Sequence, residues 1–333
     1  MSFMTAHDRL LGGRSGPNRL DQLKIGVLYG GPSAEREVSI QSGDAVCRAL
    51  LDAGREVHRV ILDESFNVNM AATLEIDVAF LALHGEFGED GRIQIILEQA
   101  GIPYTGSGVD ASAVAFDKIL AKRAFERHGI LTPAWMGFDA EELKALGGPE
   151  YLGLVPPLVV KPVACGSSLG VSIVRRMEDA TAAVLRAFEY GEGALAERYV
   201  AGREVTVAIL GGDPLPVCEL NVKGEFFDYQ AKYVDAETRV VCPAGLPREW
   251  TARAQAAALA AHRALGCRDV SRTDMIMDAN GQPWVLEVNT LPGLTSHSLL
   301  PKSADAAGID FLALCEFLLL SALEHSASGR QAA

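Results

Sequence analysis

Arg272-Thr-Asp274-Met-Ile-Met-Asp-Ala-Asn280-Gly281-Gln-Pro-Trp-Val-Leu-Glu287-Val-Asn289 reads as two strands folded back at an Asn-Gly turn. Counting outward from a turn centred on Asn280-Gly281 sets Asp274 opposite Glu287 and Arg272 opposite Asn289. Strand side chains alternate, so all four share one face. Two carboxylates directly across a ladder, at about 5 Å and an effective dielectric near 20, repel by roughly 3 kcal/mol. A hard divalent cation reverses the sign of that term, and two carboxylates with an amide oxygen suit Mg²⁺ held against nucleotide phosphates. A solvated outer face is the competing reading, and it leaves the convergence of Arg, Asp, Glu and Asn without a reason.

Upstream of this hairpin the chain changes grammar twice. Lys24 to Leu28 is a short apolar strand, followed by a helical pattern from Glu35 to Ala53 and a second strand from Glu56 to Leu62. A third strand, Val78 to Leu83, ends at His84-Gly85, and a helix from Gly91 to Ala100 follows. This alternation predicts a doubly wound parallel sheet with ligand groups just past the strand ends, where Glu35 and His84 lie. After a helix from Phe116 to His128, short strands joined by glycine turns begin: Pro157 to Pro162, a Gly/Ser loop, then Val171 to Val174. From Glu204 onward the pattern is antiparallel, with strands near 205–210, 217–222, 272–278 and 284–289, an irregular loop from Asp228 to Leu246 and an Ala-rich helix from Trp250 to Leu265. The fold class is therefore α/β and α+β. The expected organisation is a flexible extension over residues 1–23, a substrate domain over 24–116, a central subdomain over 117–204, a catalytic domain over 205–321 and a polar tail over 322–333.

Three further segments carry chemistry. Lys161-Pro-Val-Ala-Cys165-Gly166-Ser167-Ser168-Leu-Gly170 joins two strands through small residues, which lets backbone N–H groups approach phosphate oxygens while Lys161 neutralises their charge. Neither GxxxxGK[ST] nor GxGxxG occurs, so a P-loop and a dinucleotide fingerprint are both excluded. Cys165 reads first as an inert small filler, and the alternative is a reactive thiol whose pKa the neighbouring glycine N–H groups lower. Glu197-Arg-Tyr199-Val200-Ala-Gly-Arg-Glu204 brings two acids around a short linker, suited to accepting from an adenine amino group or ribose hydroxyls. Lys118 opens a helix and, taken alone, would be only a solvated charge.

Composition narrows the partners. Thirty Lys+Arg against 43 Asp+Glu give a formal charge of -13, which excludes long-range attraction to nucleic acid or an anionic membrane and makes any phosphate site local. The six cysteines form no CxxC pair, which predicts neither a disulfide framework nor a zinc site and points to a reducing, cytoplasmic setting.

In family order from about Lys24 to Leu320, the chain also carries Gly30-Gly31-Pro-Ser-Ala-Glu35-Arg-Glu-Val-Ser, Ala82-Leu-His84-Gly-Glu-Phe-Gly-Glu-Asp90-Gly, Pro103-Tyr-Thr-Gly-Ser-Gly108, Asp228-Tyr-Gln-Ala-Lys232-Tyr233, Cys242-Pro-Ala-Gly245 and Glu287-Val-Asn289-Thr-Leu-Pro292-Gly293-Leu-Thr-Ser-His-Ser298-Leu299. With the segments above, these resemble the ATP-grasp superfamily and, within it, the D-alanine:D-alanine ligase family. The resemblance implies an ATP-grasp fold and an enzyme that phosphorylates the carboxylate of one D-alanine and lets the amine of a second displace the phosphate, for peptidoglycan synthesis.

Carried over by position, Lys118 and Lys161 would hold the α and β phosphates, and Lys232 the γ phosphate. Glu197, Tyr199, Val200 and Glu204 would surround adenosine, with Phe227 where the family is expected to carry a tyrosine. Asp274, Glu287 and Asn289 would bind two Mg²⁺, with Mn²⁺ as a substitute, and Arg272 would stabilise developing charge. Glu35 would take the first ammonium group, His84 would lie by the first substrate, Gly293 would donate to the oxyanion, and Ser298 and Leu299 would hold the second carboxylate. Hydrogen bonds among Tyr233, Ser167 and Glu35 would latch a closing loop. The run from Asp228 to Tyr233 resembles the dipeptide-forming branch of the family, as opposed to ligases that use D-lactate, and the family habit is a homodimer. Turnover-free nucleotide binding is the rival class, and the retention of Arg272, Asp274, Glu287, Asn289 and Lys232 argues against it.

Overall fold

The computed structural model describes residues 19–221 and 239–331. The expectations placed on Phe227, Lys232 and Tyr233 lie outside the described residues.

The first sheet holds β1 (Lys24–Gly30), β2 (Glu56–Leu62) and β3 (Val78–Leu81), all parallel in the order β2-β1-β3. Alternate residues feed opposite faces: Ile25, Val27, Tyr29 and Phe80 enter one core, while Leu28, Ala79, Leu81 and Leu83 enter another. α1 (Arg36–Asp52) packs on the first face through Val46, Cys47 and Leu50. On the second face Ile93 and Leu97 of α3 (Arg92–Ala100) close the core beside α2 (Val68–Ala72). Both faces are covered, as a doubly wound parallel sheet requires.

Two departures alter the expected organisation. Leu20 is wholly buried in the first core, so the terminal extension stops short of it. The C-terminal helix, Phe311–Gln331, also packs there through Leu314, Leu318 and Leu319, and it runs through the segment expected to be a polar tail. The last helix of the chain thus completes the first domain.

The expected helix from Phe116 to His128 is α5 (Lys118–Arg127), and a separate helix, α4 (Val109–Phe116), precedes it. The break falls at Asp117, whose extended backbone and carboxylate, accepting from Leu120 N at 2.9 Å, cap the second helix. A second sheet follows, antiparallel in the order β4-β7-β5-β6: β4 (Trp135–Asp139), β5 (Leu158–Pro162), β6 (Ser172–Val174) and β7 (Gly193–Arg198). α7 (Ala180–Phe188), which follows the short α6 (Ala140–Leu146), packs on it with Ala183, Val184 and Ala187.

The third sheet, in the order β11-β10-β8-β12-β13, is built from β8 (Arg203–Leu210), β10 (Cys218–Asn221), β11 (Arg239–Val241), β12 (Val270–Met277) and β13 (Pro283–Asn289), with the short β9 (Asp213–Pro214) beside β8. α8 (Arg248–Ala264) covers one face of this sheet. The stretch expected to be irregular from Asp228 to Leu246 thus contains a strand. Pairing of Glu219 with Val241 sets Cys218 opposite Cys242, and the two form a disulfide with Cα atoms 4.4 Å apart. This corrects the reading of the cysteines as unpaired: partners 24 residues apart in sequence are neighbours across a ladder. Cysteine spacing therefore carries no information about compartment here. Among the described residues no single helix is long and apolar enough to cross a membrane.

Candidate active site

A cavity of about 370 Å³ opens between the second and third sheets. Its size suits a small-molecule site. Eight residues expected to act on a nucleotide or a metal line it: Lys118, Lys161, Glu197, Tyr199, Val200, Glu204, Asp274 and Glu287. Val159, Ile173, Ile276 and Leu286 add the apolar walls. The sequence reading missed these four, although the strand alternation that placed Asp274 on the inner face also placed Ile276 there.

The β12–β13 hairpin delivers the carboxylates by a different route from the one its sequence predicts. Asp278 N donates to Gln282 O and Gly281 N donates to Asp278 O, so the connection is the three-residue loop Ala279-Asn280-Gly281, not a two-residue Asn-Gly turn. Gly281 closes it at φ +70°, where a Cβ would strike the Trp250 ring. Ladder pairs near the turn, such as Met277 with Pro283, are correspondingly offset by one residue. A register shift between Asp274 and Met275 then inserts Leu286 as an extra residue on β13, and Asp274 faces Glu287 and Arg272 faces Asn289 after all.

The charges are compensated more locally than the bare repulsion of two carboxylates assumes. Arg272 holds Asp274 in a fork, with Nε 2.9 Å from Oδ1 and Nη2 2.8 Å from Oδ2, and Thr206 Oγ1 donates to Asp274 Oδ1 at 2.6 Å. Lys118 Nζ lies 3.5 Å from Glu287 Oε2 and donates to the Cys165 carbonyl at 2.8 Å. The two carboxylates thus each have a cation beside them. The two carboxylates, and the Asn289 amide oxygen, which lies outside the cavity lining and accepts from Leu291 N at 3.2 Å, are hard oxygen donors of the kind Mg²⁺ takes.

Glu197 is only 3% exposed, and lysines approach both of its oxygens: Lys161 Nζ at 2.6 Å from Oε1 and Lys122 Nζ at 2.6 Å from Oε2. Burial raises its pKa, but the two ammonium groups outweigh burial and hold the carboxyl below its ordinary range. Lys122 was not singled out in the sequence. Its signal, one helical turn after Lys118, was available only once β7 was known to pass beside it.

A second cluster gathers the residues expected around the amino acids. Ser167 donates to Glu35 Oε1 across the boundary between the first two domains, and a Cβ at Gly166 would collide with that carboxylate. His84 is buried, with Nε2 3.0 Å from Ser42 Oγ and Nδ1 3.2 Å from Leu291 O. Because Leu294 N donates to the same Ser42 hydroxyl at 3.3 Å, His84 and Ser42 together grip both flanks of Pro292-Gly293. Ser42 is another residue the sequence reading passed over. Ser298 Oγ takes Thr295 N at 3.1 Å and sits where a Cβ on Gly293 would press, and Leu299 begins the helix α9 (Leu299–Ala306). Burial pushes the Glu89 carboxyl up, the nearby Glu35 adds to this, and hydrogen bonds from His84 and Gly85 N–H oppose it. The Cys165 thiol is likewise pushed up by burial, against a smaller lowering by Lys118, which agrees with the reading of an inert filler over that of a lowered pKa.

A family model described as D-ala D-ala ligase C-terminus matches residues 125–320, and one described as D-ala D-ala ligase N-terminus matches residues 62–107. The chain belongs to the D-alanine–D-alanine ligase family. A D-alanine–D-alanine ligase of Bordetella petrii is 45% identical over 297 residues, spanning 88% of this chain and 90% of its own. Among solved structures, the Bacillus anthracis D-alanine–D-alanine ligase complexed with ATP superposes with a TM-score of 0.79 at 36% identity, covering 92% of this chain and 99% of its own. The Enterococcus faecalis VanG D-Ala:D-Ser ligase, at 31% identity, gives a TM-score of 0.80 over 90% of this chain and 99% of its own. These neighbours share the ATP-grasp architecture, and the family's fold holds through both matched regions.

Proposed function

We propose that this member of the D-alanine–D-alanine ligase family uses ATP, bound in the cavity between the second and third sheets, to join two D-alanine molecules into D-alanyl-D-alanine. The observation that carries the reading is the convergence of Lys118, Lys161, Asp274 and Glu287 on one cavity from four separate elements. The γ-phosphoryl group passes from ATP to a carboxylate oxygen of the first D-alanine, giving ADP and an acyl phosphate. The amine of the second D-alanine then attacks the acyl carbon and loses a proton, and phosphate leaves as the amide forms. Direct amide formation would expel hydroxide, a far poorer leaving group.

Lys118 and Lys161 neutralise the inner phosphates, and the apolar slot of Val159, Ile173, Ile276 and Leu286 accepts the flat base, with Tyr199, Val200 and Glu204 at its rim. Asp274, Glu287 and Asn289 would hold Mg²⁺, two ions in this reading and replaceable by Mn²⁺, which would supply neutralisation of phosphate charge. Arg272, preorganised by its fork to Asp274, stabilises negative charge on the transferred group and on the tetrahedral intermediate. Glu35 receives the first ammonium group, His84 fixes the 291–294 segment so that Gly293 N–H meets the oxyanion, and Ser298 with Leu299 holds the second carboxylate. The reading extends to a cytoplasmic homodimer supplying peptidoglycan precursors.

Phosphate release from ATP with D-alanine as sole amino acid tests the reaction, and D-serine and D-lactate as second substrates test the acceptor. Preference for D-lactate at neutral pH would overturn the dipeptide assignment. Glu287→Gln keeps the side-chain shape but removes a metal-binding charge, and is expected to lower turnover by at least about 100-fold with an unchanged circular dichroism spectrum. Near-normal turnover at saturating Mg²⁺ would remove Glu287 from the metal site.

A further inference from the structure

Lys122 on α5 is wholly buried, does not line the cavity, and yet sits 2.6 Å from the carboxylate of Glu197. Its other partner is Thr132 Oγ1 at 2.6 Å, which in turn donates to Val285 O on β13 at 2.7 Å. Burying an ammonium group is costly, and an apolar side chain of the same length would fill the space more cheaply. The lysine therefore serves something other than packing.

The geometry indicates what that is. Glu197 is shared between two cations, one inward and one facing the cavity. Lys161 alone with Glu197 would be a closed, neutral pair, its ammonium group turned to the carboxylate and offering little to an incoming anion. With Lys122 on the other oxygen, the triad Lys122–Glu197–Lys161 keeps one net positive charge, and the only member of the two lysines at the cavity wall is Lys161. Low local dielectric makes such a difference count. We propose that Lys122 is a positioning residue for the nucleotide site: by holding the far oxygen of Glu197 it leaves the Lys161 ammonium group electrically available to the phosphates. This rests on the cavity being the ATP site. Burial also lowers the Lys122 pKa, to about 8, against the raising effect of Glu197, so at neutral pH the group is still charged.

The test uses the full-length enzyme with steady-state kinetics and direct ATP titration. Lys122→Met is expected to raise KM for ATP about 10-fold while kcat and KM for D-alanine change by no more than about twofold, because phosphate binding and not chemistry is weakened. Adding Glu197→Gln removes the carboxylate that captures Lys161. With Glu197→Gln already in place, Lys122→Met should change ATP affinity by no more than about twofold, a non-additivity that a packing role does not give and that does not depend on what Glu197 itself contributes to nucleotide binding. ATP affinity unchanged in folded Lys122→Met, or a double variant more than about twofold worse than Glu197→Gln alone, would overturn the proposal. If Lys122→Met does not fold, Lys122→Gln, which keeps a polar partner for Glu197 but no charge, decides: ATP affinity lowered by about 10-fold supports the proposal, and affinity within about twofold of wild type overturns it. A wild-type chain that fails to bind ATP at all would instead refute the assignment of the cavity.

Discussion

The thiol of Cys165 sits among glycine and serine in a loop beside the Lys118 ammonium group, yet burial outweighs both and raises its pKa above the ordinary thiol value. The thiolate is then a small minority near neutrality, and because only the thiolate attacks, alkylation should be slow at pH 7 and quicken about tenfold for each unit of rising pH. Saturating ATP should protect, since Cys165 lines the same cavity as Lys118 and Lys161. Mass spectrometry of iodoacetamide labelling between pH 7 and 9, with and without nucleotide, checks both points. Labelling independent of pH would contradict the burial argument, and labelling independent of ATP would move the thiol away from the phosphates. At this scale the sequence revealed residue types well and partners poorly. Glu197 was legible as an acid near a nucleotide, but the two lysines that claim its oxygens come from α5 and β5, and no linear spacing connects them.

The β12–β13 hairpin shows how much of an element's geometry a sequence can hide while still giving the right pairs. A two-residue turn and a flush ladder predict Asp274 opposite Glu287; the molecule reaches the same pairing with a three-residue loop and one extra residue on β13. Without that extra residue, the offset set by the loop would place Glu287 opposite Thr273, on the face packed against α8. Gly281→Ala should therefore do more than strain the turn. With φ at +70° and the Trp250 ring where the Cβ would go, it is expected to cost on the order of 2 kcal/mol in urea unfolding and to reduce ligase activity in the surviving fold. Stability equal to wild type would show that the loop can take another form. Strands such as Glu56–Leu62 were readable because β-branched residues stand between clear turn signals. β7, Gly-Ala-Leu-Ala-Glu-Arg, was not: its small residues have little strand propensity, and they suit a central strand pressed between β4, β5 and α7.

Over the whole molecule, domains that are separate in sequence are not separate in their cores. Leu20, from before the first strand, and Leu314, Leu318 and Leu319, from the last helix, share one apolar cluster with Ile25, Val27 and Phe80. Leu20→Ala is accordingly expected to cost about 3 kcal/mol, the range for emptying a fully buried leucine site, although the residue lies far from the cavity and KM for ATP should not change. Chemical denaturation of the variant measures the first, and a cost below about 1 kcal/mol would show that the site collapses around the loss. The sharing of this core also orders events in time. A ribosome releases the chain from its first residue onward, and the usual benefit is that an early domain can fold while later ones are still being made. Here α1 covers part of one face of the sheet made first, and the rest of that face stays open until Phe311 and the residues after it have emerged. During synthesis of nearly the whole polypeptide the open part of that face is a surface for chaperones to occupy, and a stop codon shortly before Phe311 would leave a protein with its cavity residues present and its oldest strands only half roofed.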